Sequence, residues 1–96
     1  MRVALVTGGG SGIGRSAALE LNKIDFTVYV VGRREEELIK TSSLATNSNY
    51  KIIPIKADIT VGSQVNALFH KIKSDNGRID LLFNNAGMGA PRVPIE

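Results

Sequence analysis

The stretch Thr7-Gly8-Gly9-Gly10-Ser11-Gly12-Ile13-Gly14 has the residue types needed to hold a phosphate group. Five of the seven residues from Gly8 to Gly14 are glycine, so the backbone there lacks the Cβ atoms that would keep a ligand away. An apolar run, Val3-Ala4-Leu5-Val6, feeds into the stretch and an amphipathic run leaves it, which is the pattern of strand, tight turn and helix. A helix starting at such a turn points its unpaired N–H groups into the gap, and its dipole adds about 0.3–1 kcal/mol for negative charge there. Gly12-Ile13-Gly14-Arg15-Ser16-Ala17 satisfies the dinucleotide fingerprint in the form that ends in alanine. Gly9 to Ser16 falls one residue short of a P-loop, with the forked guanidinium of Arg15 where a point-charge ammonium is needed. The alternative without a ligand is a glycine turn that only packs helix against strand.

Arg33 and Arg34 are the second pair to weigh. They follow an apolar run, Phe26 to Val31, at the place where a fold that binds NAD carries an acid for the ribose hydroxyls. A carboxylate repels a 2′-phosphate and a guanidinium grips it, and charge-assisted bonds of roughly 1.5–3 kcal/mol would favour NADP over NAD by about 10- to 100-fold. The competing reading pairs both arginines with Glu36 and Glu37 on a solvated helix start.

The elements that must position these residues alternate. Residues 2–7 form the first strand, apolar on both faces as a buried parallel strand is. The helix after the turn carries Ile13, Ala17, Leu21 and Ile24 as its inward stripe and ends near Asn22 to Asp25. Phe26–Val31 is the second strand, and Glu35 to about Ala45 is the second helix, with Leu38 and Ile39 inward and glutamates in its first turn. After the polar loop Thr46–Asn49, Lys51–Ala57 is the third strand, which Pro54 confines to the sheet edge. Thr60 is the expected N-cap of a third helix with Val65, Leu68, Phe69 and Ile72 at helical spacing, stopped by Asn76-Gly77. Asp80–Asn84 is the fourth strand. Short right-handed crossovers give an α/β fold of Rossmann type, a parallel sheet in order 3-2-1-4 with helices on both faces. Ligands of such a sheet lie outside the carboxyl ends of its strands.

Composition narrows the function. The 96 residues make one domain or part of one, with 43% hydrophobic and 22% charged residues. The net charge of +3 comes from 12 basic and nine acidic side chains with no basic stripe interleaved with aromatics, which argues against nucleic acid as partner. Without cysteine, and with His70 as the sole histidine, the chain offers no disulfide and no metal centre. Its apolar runs are too short for a signal peptide or a membrane span, so no membrane partner and a cytoplasmic location are expected.

Thr7-Gly8-x-x-x-Gly12-x-Gly14, Asp58 after the third strand and Asn84-Asn85-Ala86-Gly87 after the fourth together resemble the short-chain dehydrogenase/reductase family, over essentially all 96 residues. The resemblance implies that Gly8, Ser11, Gly12, Ile13 and Gly14 hold a nicotinamide dinucleotide with Arg33 and Arg34. It places Asp58 and Ile59 at the adenine, although Asp58 read alone could equally cap the third helix. It has Asn85 hold the central sheet while Ala86 and Gly87 admit the cofactor ribose. It also implies hydride transfer between the nicotinamide and a carbonyl or alcohol, using a serine, a tyrosine and a lysine that no position here supplies. Tyr29 has Arg33 four residues on, along a strand, at a span of about 13 Å, and Tyr50 has Pro54. The expectation is residues 1–96 as the NAD(P)-binding, N-terminal portion of such an enzyme, incomplete relative to the full family fold and inactive alone. A non-catalytic nucleotide-binding or assembly module is the alternative.

The fourth strand carries Leu81, Leu82 and Phe83, apolar on both faces. Pro91 and Pro94 argue against a regular strand beyond it, so an open edge that recruits a second copy is expected.

Overall fold

The apolar runs and helical stripes become seven elements in strict alternation. They are β1 (Arg2–Thr7), α1 (Gly12–Lys23), β2 (Phe26–Gly32), α2 (Glu35–Ser43), β3 (Ile52–Lys56), α3 (Gly62–Asn76) and β4 (Leu81–Asn84). They are seen in a computed structural model that describes residues 1–10 and 12–85. The four strands form one parallel sheet in the order β3-β2-β1-β4, so the α/β fold of Rossmann type is the one expected. Pro54 lies in β3, at the outer position where a missing N–H is tolerated.

Side chains alternate across the strands, and this divides the core into two layers. Val3 and Leu5 of β1 with Tyr29 and Val31 of β2 pack against Val65, Leu68 and Ile72 of α3. Ala4 and Val6 with Val28 and Val30 pack against Ala18 of α1 and Leu38 of α2 on the opposite face. Leu82 joins the first layer and Phe83 the second, so β4 is apolar toward both faces. Fully burying such a side chain is worth roughly 1.5–3 kcal/mol, which makes β1 and β2 the rigid centre of the sheet.

The inward face of α1 differs from the expected stripe. Gly14, Ala18 and Asn22 are buried; of the expected stripe Leu21 packs on the core and Ala17 is half-buried, whereas Ile13 is 69% exposed and Ile24, beyond the end of the helix, is 55% exposed. The cause lies at Gly14, where a Cβ would stand 2.0 Å from the Gly8 carbonyl oxygen. Only a residue without a side chain can make that contact, and it turns Ile13 outward. In α2, Leu38 is inward, but Ile39 is 52% exposed and the second buried position is Thr41. That helix ends at Ser43, short of the expected Ala45, because the N–H groups of Leu44 and Ala45 bond three residues back to Thr41 and Ser42.

Thr60 does not cap α3. The N-cap is Val61, with no side-chain cap bond, and the Thr60 hydroxyl turns back to donate to Asp58 Oδ1 at 2.6 Å. The helix stops as expected at Gly77, whose φ of 73° suits glycine and whose N–H reaches the Lys73 carbonyl at 2.8 Å. The third strand is one residue shorter at each end than read from the sequence, and β2 runs one residue further, to Gly32. Asp80 lies just before β4 yet is tied to β1 twice: its N–H donates to the Val3 carbonyl and its carboxylate accepts from the Val3 N–H, both at 2.7 Å.

Candidate functional site

The carboxyl ends of the strands open into one cleft of about 710 Å³. Gly8 and Gly10 form its floor after β1, and Asn85 borders it after β4. Gly32, Arg33 and Arg34 line it after β2, and Asp58, Ile59 and Thr60 line it after β3.

The glycine turn is held from below. Gly8 adopts φ 67° and its N–H donates to the Val31 carbonyl at 2.8 Å, while Gly14 presses on its carbonyl from the first turn of α1. Gly9 sits on Val30, where a Cβ would approach the valine Cβ to 2.7 Å. From the side, the Thr41 hydroxyl donates to the Gly9 carbonyl at 2.7 Å and accepts from Arg15 Nε at 2.8 Å. The Arg15 guanidinium also donates to the Gly10 carbonyl, to the Glu37 carbonyl at 3.0 Å and to Glu37 Oε1 at 3.3 Å. A P-loop needs its cation on the phosphates, and the one in this register is committed to holding the loop against α2.

Arg33 and Arg34 are both exposed at the rim of the cleft, and neither forms an ion pair or side-chain hydrogen bond with a described residue. Of the two expected competitors, Glu37 is bound by Arg15 instead, and Glu36 forms no ion pair with either arginine. Facing them, Asp58 accepts from the Thr60 hydroxyl and, at 2.9 Å, from the Thr60 N–H. Those bonds, with the nearby charge of Arg33, hold its carboxyl below the usual carboxylate range. Asp58 therefore braces its own turn and does not cap α3; its N–H donates to Gln64 Oε1 at 2.6 Å. Ile59 is 8% exposed, with its side chain in the α3 layer, and so meets the cleft mainly through its backbone.

Asn85 donates its N–H to the Thr7 hydroxyl, which in turn donates to Asn84 Oδ1 at 2.8 Å. This pins the end of β4 to the end of β1. Of the other expected site residues, Gly12, Ile13 and Gly14 stand at the start of α1 outside the cleft lining, and Ser11, Ala86 and Gly87 fall outside the described residues. Gly10, in the glycine stretch, and Gly32, at the end of β2, line the cleft as expected of residues at strand ends, whereas Glu37, Leu38 and Thr60 line it without having been singled out for it. These three lie four to six residues past a strand end, beyond the strand-end positions that the sequence picks out.

The tyrosines stand apart from the cleft. Tyr29 is fully buried in the α3 layer, its hydroxyl shared between Asp75 and Asn76 at the end of α3. Burial, then the Asp75 charge, raises its pKa above the ordinary phenol value. Among the described residues no cluster of side chains could hold a metal ion, and no helix is long and apolar enough to cross a membrane.

Comparison with known proteins places this geometry. Residues 2–96 match the sequence pattern of the family described as short chain dehydrogenase. The chain is 37% identical over 93 residues to dehydrogenase/reductase SDR family member 1 of Mus musculus, covering 96% of this chain but 30% of the mouse protein. It is 35% identical over 96 residues to the short-chain dehydrogenase/reductase homolog YusS of Bacillus subtilis, covering 99% of this chain and 87% of that one. Among solved structures, a metagenomic short-chain oxidoreductase in complex with NADP superposes with a TM-score of 0.85 at 28% identity, over 92% of this chain and 40% of that one. The chain thus spans less than half the length of the mouse protein and of the NADP complex.

Proposed function

Because the chain belongs to the short-chain dehydrogenase family, we propose that residues 1–96 are the cofactor-binding, N-terminal part of an oxidoreductase that prefers NADP to NAD. The observation that carries the preference is the pair Arg33 and Arg34 at the end of β2, on the cleft and in no ion pair with a described carboxylate, although Arg33 lies near enough to Asp58 to feel its charge. The residues fit the group: a turn of glycines backed by the N-terminus of α1 suits a pyrophosphate, and two guanidinium groups suit a 2′-phosphate.

In this reading the main-chain N–H groups of Gly8 to Gly14, with Ser11, hold the pyrophosphate, and Arg33 with Arg34 grips the 2′-phosphate. Asp58 accepts the adenine amino group and the Ile59 backbone lies beside the ring. Asn85 keeps the cleft wall in register, and Ala86 and Gly87 border the ribose. When bound, the nicotinamide supplies or accepts the hydride exchanged with a carbonyl or alcohol. The described residues position that cofactor but supply no acid for the substrate, since the Tyr29 hydroxyl is committed to Asp75 and Asn76. Residues 1–96 alone are therefore assigned binding without turnover.

Fluorescence titration with NADPH and NADH tests the reading. Arg33→Asp is expected to weaken NADPH and strengthen NADH, moving their ratio by about 10- to 100-fold. If both affinities stay within about twofold, Arg33 is only a surface residue and the preference is lost. ATP with magnesium bound more tightly than either dinucleotide would favour a phosphate-hydrolysing protein instead.

A second copy of the chain is the proposed protein partner. Among the described residues β4 pairs as a strand only with β1, and Leu81 at its start is 40% exposed. Sedimentation at micromolar concentration tests this, and a single monomeric species overturns it.

A further inference from the structure

The cleft has a carboxylate on the wrong side of its charge balance. Glu37 lines it next to Arg33 and Arg34, and a free carboxylate there would oppose a 2′-phosphate. Glu37 is instead drawn toward Arg15, with Oε1 at 3.3 Å from the guanidinium and the two side chains only 36% and 20% exposed. The same guanidinium donates to the Gly10 carbonyl, and Gly10 packs on Glu37 so closely that a Cβ would stand 3.1 Å from the glutamate Cβ. One side chain therefore ties together the phosphate loop, the first turn of α2 and the acid that faces the arginine pair.

Resting on the cofactor reading above, we propose that Arg15 is a positioning residue for cofactor choice. It keeps the Glu37 carboxylate from adding to the charge that Asp58 already sets beside Arg33, so that the rim of the cleft presents its two guanidinium groups to a 2′-phosphate. It does so without touching the ligand. The register of the chain serves this arrangement: Arg15 leaves the first turn of α1 at the height of the loop, while Glu37 enters the first turn of α2, and Thr41 one turn on accepts the Arg15 Nε–H at 2.8 Å. One terminal nitrogen, Nη2, serves the Gly10 and Glu37 carbonyls and Glu37 Oε1 while Nε serves Thr41, so a lysine, with its single nitrogen, could not hold the Thr41 bond as well in the same geometry.

The test is an electrostatic cycle on the whole chain, read as the ratio of NADPH to NADH affinity by fluorescence titration. Arg15→Met keeps the bulk and removes the charge, and is expected to lower the ratio about tenfold as Glu37 swings free. Glu37→Gln removes the opposing acid and is expected to raise the ratio roughly two- to fivefold. The double variant is expected to match Glu37→Gln, roughly two- to fivefold above the parent, because without the carboxylate there is nothing for Arg15 to restrain. An Arg15→Met variant that weakens both dinucleotides in equal proportion shows a loop brace with no part in selection and overturns the proposal. So does a Glu37→Gln variant whose ratio fails to rise, which decides the matter even if Arg15→Met does not fold. A parent chain that binds neither dinucleotide sinks the cofactor reading along with this inference, whereas binding with an unmoved ratio sinks this inference alone.

Discussion

The backbone N–H of Asn85 donates to the hydroxyl of Thr7 at 2.9 Å, joining two residues 78 apart in sequence. The same hydroxyl donates to Asn84 Oδ1, so one buried oxygen both accepts and donates at the point where β4 leaves the sheet. Thr7→Val keeps the shape and removes both bonds, leaving polar groups of the β4 end unsatisfied. The expected cost is about 1–3 kcal/mol in urea unfolding, with Thr7→Ser close to the parent. Equal stability of the valine and serine variants would mean that the hydroxyl ties nothing.

The glycines of the turn are not equivalent, and a pair of alanine variants separates them. At Gly14 a Cβ would meet the Gly8 carbonyl oxygen at 2.0 Å, and a backbone atom cannot move aside without displacing the glycine turn. At Gly12, with φ +57°, no described atom lies within 4 Å of the added carbon, so only backbone strain opposes it. Gly14→Ala is expected to cost about 3 kcal/mol or more and to abolish NADPH binding, and Gly12→Ala about 1 kcal/mol. Thermal unfolding with and without NADPH checks both, and the order of the two costs is the point at issue.

What the sequence made legible was what period and punctuation carry. Val3 and Leu5 against Ala4 and Val6 divide the core by alternation alone, Pro54 assigns β3 to the edge, and Asn76-Gly77 ends α3. The misses have a different physical origin. The rotation of α1 is set by a contact made at Gly14, where no side chain marks it, so the expected stripe lies one position off the buried line: Leu21 reaches the core while Ile13 does not. Thr41 and Asn22 are buried polar residues whose partners Gly9 and Tyr50 lie 32 and 28 positions away, beyond the reach of any local pattern. Arg33, Arg34 and Asp58 stood out because their charge is unusual after a strand, whereas Glu37 read as one of three helix-start glutamates and only the fold brings it to the cleft.

Acid should loosen the start of β1 through Asp80. The Arg78 guanidinium, bonded to both carboxylate oxygens, and then the Val3 N–H hold this carboxyl below its ordinary range. A carboxyl whose folded pKa lies below the unfolded value of about 3.9 contributes its full stabilisation above that value and loses it as pH falls through the lower folded one. Asp80→Asn cannot make the ion pair, so it is expected to be less stable than the parent at pH 7, with the gap closing below about pH 4. Asp58, also depressed, leaves the variant some acid sensitivity of its own. Urea unfolding from pH 7 to pH 3 measures the gap, and a gap that is constant across this range would remove Asp80 from the acid response.

The open side of β4 gives the assembly proposal a sharper form than the mass of the parent chain. Leu81, at the start of the strand and 40% exposed, pairs with Ala4 on its inner side and with nothing described on its outer side. Two copies meeting edge to edge would complete each other's backbone bonds and cover this leucine, whereas a lysine there places a cation of each copy at the same seam. Leu81→Lys is therefore expected to raise the dissociation constant of the dimer about tenfold or more while leaving the urea midpoint of the monomer nearly unchanged. Sedimentation across a concentration series gives the first quantity and dilute-chain unfolding the second. If the variant associates as tightly as the parent, the contact lies on another face, and Ile39 with Leu44 of the α2 region, 52% and 47% exposed, becomes the next surface to charge.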